Sequence, residues 1–153
     1  MDLNYKDYLK LVDGSDPILH NKVEAVSADL DRFAFTSLMV RNMEHYDGIG
    51  LSANQIGFSE RAFAILLQGT PVVCYNPRIS KRSRERSPLV EGCLSFPNTM
   101  VNVIRPATIS VKYENEEGVV TQTTLTGLEA KCFQHELDHL NGITMLDVGN
   151  PIT

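Results

Sequence analysis

Residues 126–142, which read TGLEAKCFQHELDHLNG, carry the pattern that decides the fold, because they predict the helix around which the other elements pack. Thr126 can cap this helix, with Glu129 at the third helical position as its partner in a capping box. Asn141 and Gly142 form a good C-terminal stop. We therefore expect a helix that begins after Thr126 and ends at Asn141-Gly142.

The string His135-Glu136-Leu137-Asp138-His139 lies inside this predicted helix. Residues four apart on a helix lie about 40° apart around the axis and about 6 Å apart along it, so both imidazoles can converge on one ion. Two neutral imidazoles suit a divalent first-row metal, and Glu136 beside them can accept a proton from water activated by that metal. A solvated helix with chance histidines is the alternative, but two of the chain's four histidines fall within these five residues.

A catalytic metal site needs a third protein ligand, and two cysteines are candidates. Cys132 lies on the same helical face, but it is about 10.5 Å from His139 along the axis, beyond the combined reach of about 3.5 Å and about 6.5 Å for the two side chains. Cys93 is the better candidate because it lies outside the helix, in the Gly- and Pro-bounded loop 91–97, although a plain core cysteine is the alternative. We expect Cys132 to be a small buried residue beneath the site and Cys74 to lie in the core.

The rest of the chain predicts a second helix and several antiparallel strands. Apolar residues recur at helical spacing from about Val23 until Asp47-Gly48, which indicates a buried amphipathic helix. We expect one compact α+β domain over residues 1–153, with antiparallel β-sheets around the central metal-binding helix. The strand candidates are a hairpin of 61–67 and 71–75, ended by Asn76-Pro77, and the stretches 101–104, 109–113 and 119–125.

Length and composition are typical of a soluble globular protein, with 153 residues, 42% hydrophobic and 22% charged. Fourteen Lys and Arg against nineteen Asp and Glu give a net charge of −5, which disfavours direct nucleic-acid binding. Three cysteines are too few for a disulfide framework and indicate a reducing compartment. No signal or transit peptide and no membrane-spanning stretch is visible, so we expect a cytoplasmic protein.

The glycine-rich string GIGLSANQIG, residues 48–57, is the third unusual feature. Its glycines allow a ligand to approach the backbone, but the spacings of nucleotide-binding loops are missing, so nucleotide binding is disfavoured. A plain helix-to-strand turn is the alternative interpretation. Gln55 is the residue in this string whose neutral amide can donate to a developing oxyanion.

One basic cluster occupies residues 81–86. In an extended chain, alternation puts Arg82, Arg84 and Arg86 on one side. This pattern is typical of a charged edge strand that is guarded against pairing, and contact with an acidic partner is the alternative.

Together the three strings closely resemble the signature motifs of the peptide deformylases: GxGLxAxQ at residues 48–55, EGCLS at 91–95 and HExDH at 135–139. The motifs occur in that family's order and at similar separations, and the similarity spans from about residue 16 to about residue 147. The resemblance implies Fe²⁺ as the native metal, one per chain, with Zn²⁺, Ni²⁺ or Co²⁺ able to occupy the same ligands. It also implies that Cys93, His135 and His139 bind the metal, that Glu136 is the acid/base residue, and that Gln55 and the backbone N–H of Leu94 form the oxyanion hole.

The resemblance further implies a substrate pocket and a structural ion pair. Backbone groups of Ile49, Gly50 and Gly92 would hold the peptide as an added strand. Asp138 would pair with Arg105 and fix the metal helix against the sheet. The pocket for the methionine side chain would be lined by Ile49, Leu89, Leu128, Cys132 and the stem of Lys131.

Three features depart from the family's usual pattern. Ser52 stands where alanine is commoner, and it should be tolerated if its hydroxyl finds a backbone partner. Lys131 stands where many bacterial relatives carry an aliphatic residue. The chain also stops at Thr153, whereas bacterial members usually continue into a ribosome-docking helix, so we expect ribosome association to be weak. We also expect the protein to be a monomer.

The function expected from these features is metal-dependent hydrolysis of the N-formyl group of N-formyl-methionyl nascent polypeptides, with release of formate. This is a hydrolase activity of protein biosynthesis, which acts co-translationally in N-terminal methionine processing. A zinc endopeptidase of the His-Glu-x-x-His kind is the main alternative, and its third ligand would be His or Glu rather than Cys93. A non-catalytic domain with a structural metal site is a further alternative, which requires a closed fourth ligand.

Overall fold

Residues 8–152 are described by a computed structural model, and within them the chain forms two antiparallel sheets and three α-helices. Two 3-10 turns, Pro17–Leu19 and Ala53–Ile56, accompany these elements. The helices are α1 (Arg32–His45), α2 (Gly127–Leu140) and α3 (Met145–Val148). The strands are β1 (Gly50–Ser52), β2 (Ala62–Leu67), β3 (Thr70–Arg82), β4 (Arg86–Cys93), β5 (Phe96–Pro106), β6 (Thr108–Glu114), β7 (Val120–Thr126) and β8 (Asn150–Pro151).

The five-stranded sheet has the order β1-β2-β3-β6-β7, and the three-stranded sheet has the order β4-β5-β8. Strand β2 is buried on both faces because the larger sheet lies between α1 and α2. Phe63 and Ile65 pack in one core cluster with Phe133 of α2, whereas Ala62 and Ala64 pack in a second cluster with α1. Burial on both faces explains why β2 is a continuous apolar run rather than an alternating strand.

The α+β class and the central position of α2 are confirmed. Helix α2 begins and ends where the sequence predicts, but the predicted capping box is wrong, because Thr126 makes no side-chain cap hydrogen bond. The Glu129 carboxylate instead accepts a hydrogen bond from the backbone N–H of Gln68, at 2.7 Å. Glu129 therefore ties the helix to the β2–β3 turn.

The predicted start of the first helix near Val23 is wrong, because α1 begins at Arg32. Asp31 caps it, accepting a hydrogen bond from the Ala34 N–H at 3.1 Å. Before Asp31, backbone groups bond to distant parts of the chain: the Val23 N–H donates to the Leu140 carbonyl at 2.7 Å, and the Val26 N–H donates to the Asn76 side chain at 2.9 Å. These tertiary bonds hold the segment in an irregular path.

The predicted hairpin of 61–67 and 71–75 is confirmed as β2 and β3, which turn at Gln68-Gly69 with φ of 51° and 77°. The predicted end at Asn76-Pro77 is wrong, because β3 continues to Arg82. A register shift between Tyr75 and Arg78 in the pairing with β6 accommodates the proline. The other predicted strands are confirmed as parts of β5, β6 and β7.

Strand β4 was not predicted from the sequence. Residues 91–97 were interpreted as a loop, and this interpretation is wrong. Cys93 is the last residue of β4, and β5 begins only three residues later, at Phe96. The basic cluster is also not a single strand: Arg82 ends β3 and Arg86 begins β4, with residues 83–85 between the two sheets. None of the helices in residues 8–152 has both the length and the apolar character that crossing a membrane requires.

Replacing Gly142 is predicted to be more destabilising than replacing an exposed glycine with a similar φ. Its φ is 75°, and a Cβ built there would lie 2.8 Å from backbone atoms of His20 and Asn21. Gly118 is the matched control, with a φ of 81° and open space around a Cβ. We expect Gly118→Ala to lower the free energy of unfolding by about 1 kcal/mol and Gly142→Ala by about 3 kcal/mol, measured by urea denaturation. Equal losses would contradict this account of the packing.

Candidate metal centre and active site

Three side chains from two elements converge on one point. Cys93 comes from the end of β4, whereas His135 and His139 come from successive turns of α2. Their ligand atoms all lie within 4.8 Å of one another. The Nε2 atom of His139 lies 3.3 Å from the Cys93 Sγ and 3.2 Å from the His135 Nε2.

The two separations measured from His139 are close to those expected around a metal ion. Tetrahedral ligands at zinc-like bond lengths of about 2.0 to 2.3 Å lie about 3.3 to 3.6 Å from one another. A thiolate and two imidazoles are also a donor set that first-row divalent ions accept. Cys132 lies outside the cluster, as predicted from its distance along the helix. The expectation that it is buried is wrong, because it is only part-buried beside the cavity, where its Sγ donates to the Ile49 carbonyl at 3.4 Å. Cys74 is fully buried, as predicted.

A buried ion-pair network orients one of the histidines. The Nδ1 of His135 lies 2.8 Å from a Glu91 carboxylate oxygen, so the ring donates there and presents Nε2 to the cluster. Arg105 donates to both oxygens of Glu91, at 2.7 Å and 3.0 Å, and to Asp138 at 2.8 Å. Burial alone would raise the pKa of Glu91, but the hydrogen bonds from His135 and Arg105 outweigh it and lower the pKa to about 2.

The expected pairing of Arg105 with Asp138 is present, but sequence reasoning missed Glu91. The signal was local: Glu91 lies two residues before Cys93, and residues two apart on a strand share a face. This alternation could be used only if residues 86–93 were recognised as a strand. Glu91 lies in strand β4 rather than in a loop, and its carboxylate orients the His135 ring.

Glu136 lies at the cavity wall next to the three-residue cluster. Its side chain is buried, and its Oε1 has no hydrogen-bond partner among the described residues. Burial raises the pKa of the Glu136 carboxyl to about 7, although the neighbouring His135 opposes this shift. A carboxyl group that titrates near neutral pH is suited to accept and return a proton.

Gln55 enters the site from the 3-10 turn Ala53–Ile56. Its Nε2 donates to the Ser95 hydroxyl at 3.2 Å and lies 3.5 Å from the Cys93 Sγ. Its Oε1 accepts from the backbone N–H and from the hydroxyl of Ser52, at 3.0 Å and 3.1 Å. Ser52 and Gln55 form a capping box in which the Ser52 hydroxyl also accepts from the Gln55 backbone N–H, so the expected backbone partner of this hydroxyl is present.

A cavity of about 430 Å³ opens beside the cluster. The ammonium of Lys131 donates to the backbone carbonyls of Ser87 and Arg105, the second at 3.3 Å, and the side chain is buried. Strands β1 and β4 are edge strands of the two sheets, and each contributes a glycine to the cavity wall. All of the residues expected to bind substrate line it: Ile49, Gly50, Leu89, Gly92, Leu128, Lys131 and Cys132.

Comparison with known proteins gives one family. The family model for polypeptide deformylases matches residues 8–153. The peptide deformylase of Thermotoga sp. (strain RQ2) is 40% identical over 137 residues, covering 89% of this chain and 84% of that protein. The crystal structure of the peptide deformylase from Thermotoga maritima matches with a TM-score of 0.88 and 37% identity, covering 93% of this chain and 97% of that chain. The peptide deformylase from Synechococcus elongatus in complex with actinonin matches with a TM-score of 0.88 and 35% identity, covering 97% of this chain and 82% of that chain.

Replacing the carboxylate that orients His135 should weaken metal binding. We expect Glu91→Gln to lower the affinity for Zn²⁺ about 10- to 100-fold, because the neutral amide holds the imidazole and Arg105 less firmly. Competition with a chromophoric chelator measures this affinity. Glu114→Gln, which disrupts the Arg32–Glu114 ion pair and touches no cluster residue, is the control and should bind Zn²⁺ as the unmodified protein does. Equal affinity of both variants would refute the orienting role of Glu91.

Proposed function

We propose which residues of this chain carry out the steps of the peptide deformylase reaction, because the chain belongs to that family. The chain is a metal-dependent hydrolase that removes the N-formyl group from N-formyl-methionyl polypeptides and releases formate, a step of protein biosynthesis. The observation that carries the assignment is the convergence of Cys93 with His135 and His139. An endopeptidase of the His-Glu-x-x-His kind would place a histidine or carboxylate where Cys93 lies, and nothing favours that alternative.

The proposed metal ligands are the Cys93 thiolate and the Nε2 atoms of His135 and His139, with one ion per chain. When bound, the ion supplies a Lewis acid that lowers the pKa of water and polarises the formyl carbonyl. We propose Fe²⁺ as the native ion, with Zn²⁺, Ni²⁺ or Co²⁺ able to take its place. The mixed sulfur and nitrogen donor set supports this group of ions.

Glu136 is the proposed acid/base residue. Its buried Oε1, which has no hydrogen-bond partner within residues 8–152, and its raised pKa support a role in which it takes a proton from the attacking water. After attack on the formyl carbon, the same carboxyl returns the proton to the leaving amine nitrogen. One residue thus serves both halves of the reaction.

Gln55 and Leu94 are the proposed oxyanion donors. The Gln55 Nε2 points toward Cys93 and Ser95, and Leu94 lines the same cavity in the turn between β4 and β5. The Gln55 amide and the Leu94 backbone N–H would donate to the formyl oxygen as negative charge develops there. Because these donors are held before the substrate arrives, little reorganisation is needed in the transition state.

The cavity is the proposed site for the methionine side chain and the following peptide. Leu89, Leu128, Cys132 and the stem of Lys131 would contact the methionine. Backbone groups of Ile49, Gly50 and Gly92 would hold the peptide as a strand between the edges of the two sheets. The Ile49 carbonyl already accepts a hydrogen bond from the Leu66 N–H at 3.2 Å, so Ile49 would contact the peptide through its N–H. Backbone contacts of this kind favour an extended peptide of any sequence after the first residue.

The oligomeric state, the location and the ribosome association of the protein are proposed as follows. We propose a monomeric catalytic domain that spans the chain and acts in the cytoplasm on nascent polypeptides. Association with ribosomes is proposed to be weak and salt-sensitive, because the net charge of −5 opposes binding to ribosomal RNA.

The substrate assignment predicts selective formate release. We expect the metal-loaded protein to release formate from formyl-Met-Ala-Ser and to leave casein intact, measured by a coupled formate assay and by gel electrophoresis. Cleavage of casein without formate release would support the endopeptidase alternative instead.

The proposed roles predict a loss of turnover when Glu136 is replaced and a loss of metal binding when Cys93 is replaced. We expect Glu136→Ala to keep the metal and to lower kcat at least about 100-fold, because the proton acceptor is removed while all ligands remain. Cys93→Ala should instead lose metal affinity. Metal analysis and formate release distinguish these outcomes. Glu129→Gln, two turns earlier on α2, is the control, and it should keep both the metal and the normal turnover. Near-normal turnover of Glu136→Ala would show that another group transfers the proton.

A further inference from the structure

The side chain of Gln55 is held at both ends of its amide. Gln55 is 1% exposed, and Ser52 beside it is fully buried. Both hydrogen bonds to the Gln55 Oε1 come from Ser52, one from its backbone N–H at 3.0 Å and one from its hydroxyl at 3.1 Å. At the other end, the Nε2 donates to the Ser95 hydroxyl and faces the Cys93 Sγ.

We propose that the Ser52 hydroxyl is a positioning group for the reaction, acting through Gln55. This inference rests on the proposed function of Gln55 as an oxyanion donor. Ser52 itself touches neither the substrate nor the metal ligands in this assignment. Ser52 sets the direction and the donor strength of the Gln55 amide, which would contact the formyl oxygen of the substrate.

The two hydrogen bonds from Ser52 contribute differently. A backbone N–H can only donate, so it selects the oxygen end of the amide and directs the Nε2 end toward the site. The hydroxyl adds a second donor to the same Oε1. Hydrogen bonds to an amide oxygen polarise the group and strengthen its N–H as a donor. The Gln55 Nε2 therefore interacts more strongly with a negatively charged oxygen than it would with the backbone bond alone.

This strengthening should affect the transition state more than the bound substrate. The formyl oxygen carries little negative charge in the ground state, and negative charge develops on it in the transition state. An interaction made mainly in the transition state changes kcat and leaves KM nearly unchanged. A purely structural role of Ser52 at the start of the 3-10 turn would instead lower stability, with a kinetic effect that does not depend on Gln55.

The test is a double-mutant cycle on metal-loaded protein with formyl-Met-Ala-Ser as substrate. We expect Ser52→Ala to lower kcat about two- to tenfold, the effect of one hydrogen bond, with KM within twofold and unchanged metal content. Gln55→Ala should lower kcat about 100- to 1,000-fold. In the Gln55→Ala background, Ser52→Ala should have no further effect on kcat, because the group it acts through is gone.

A matched control and a spectroscopic measurement separate positioning from stability. Thr36→Val removes a hydroxyl that bonds to the Tyr75 hydroxyl at 2.8 Å, away from the site, and should leave kcat unchanged. The side-chain amide signals of Gln55 in ¹⁵N-labelled protein report its hydrogen bonds directly. We expect these signals to shift and their protons to exchange faster in Ser52→Ala than in the unmodified protein or in Thr36→Val.

The outcomes distinguish this inference from the proposed function. If the unmodified protein releases formate but Ser52→Ala has unchanged kcat, or loses the same factor in the Gln55→Ala background, the inference is overturned and the proposed function stands. Unchanged Gln55 amide signals in Ser52→Ala would also overturn it. If the unmodified, metal-loaded protein releases no formate, the proposed function fails and the inference fails with it.

Discussion

The buried ion pair between Arg105 and Glu91 is the interaction on which the rest of the site depends. Arg105 lies on β5, and it bonds to Glu91 of β4 and to Asp138 of α2. Arg105 and Glu91 are each 6% exposed, so losing Arg105 would leave the buried Glu91 carboxylate with His135 as its remaining side-chain partner among the described residues, which is a destabilising change. The network therefore fixes the smaller sheet against the helix, and it places Cys93, two residues beyond Glu91, beside the two histidines.

A second set of contacts brings Gln55 to the same helix. Strand β1 pairs with β2, which directs the following 3-10 turn toward α2. The Asn54 side chain donates to the His139 carbonyl at 2.8 Å and so ties this turn to the helix end that carries a proposed metal ligand. Helix α2 is thus the common wall of the site, with the Gln55 turn and β4 meeting it from the two sheets. The cavity proposed to bind substrate lies where the edges of these sheets face each other.

Much of the fold was predictable because its signals are local. The hairpin of β2 and β3 follows from two β-rich runs around Gln68-Gly69, and α2 follows from its helical pattern and its Asn141-Gly142 stop. The errors occur where distant contacts override local preference. Residues before Asp31 have helical periodicity, yet the Val23 and Val26 N–H groups bond to α2 and β3 instead. Strand β3 continues past Pro77 because its pairing with β6 tolerates a register shift.

The sequence by itself determined which residues are candidates for the chemistry of the site: the two histidines and the glutamate of the His-Glu-x-x-His string, Cys93 as the proposed third ligand, and Gln55 as the proposed amide donor. Helical spacing is a property of a few consecutive residues, so it can be read without the fold. Only the tertiary structure decided the distant partners of these groups, including Glu91 on His135 and Ser95 on Gln55. Glu91 is 44 residues from His135 in the chain. Such a pair forms because sheet pairing and burial bring two strands and a helix together, and no short stretch of sequence encodes that approach.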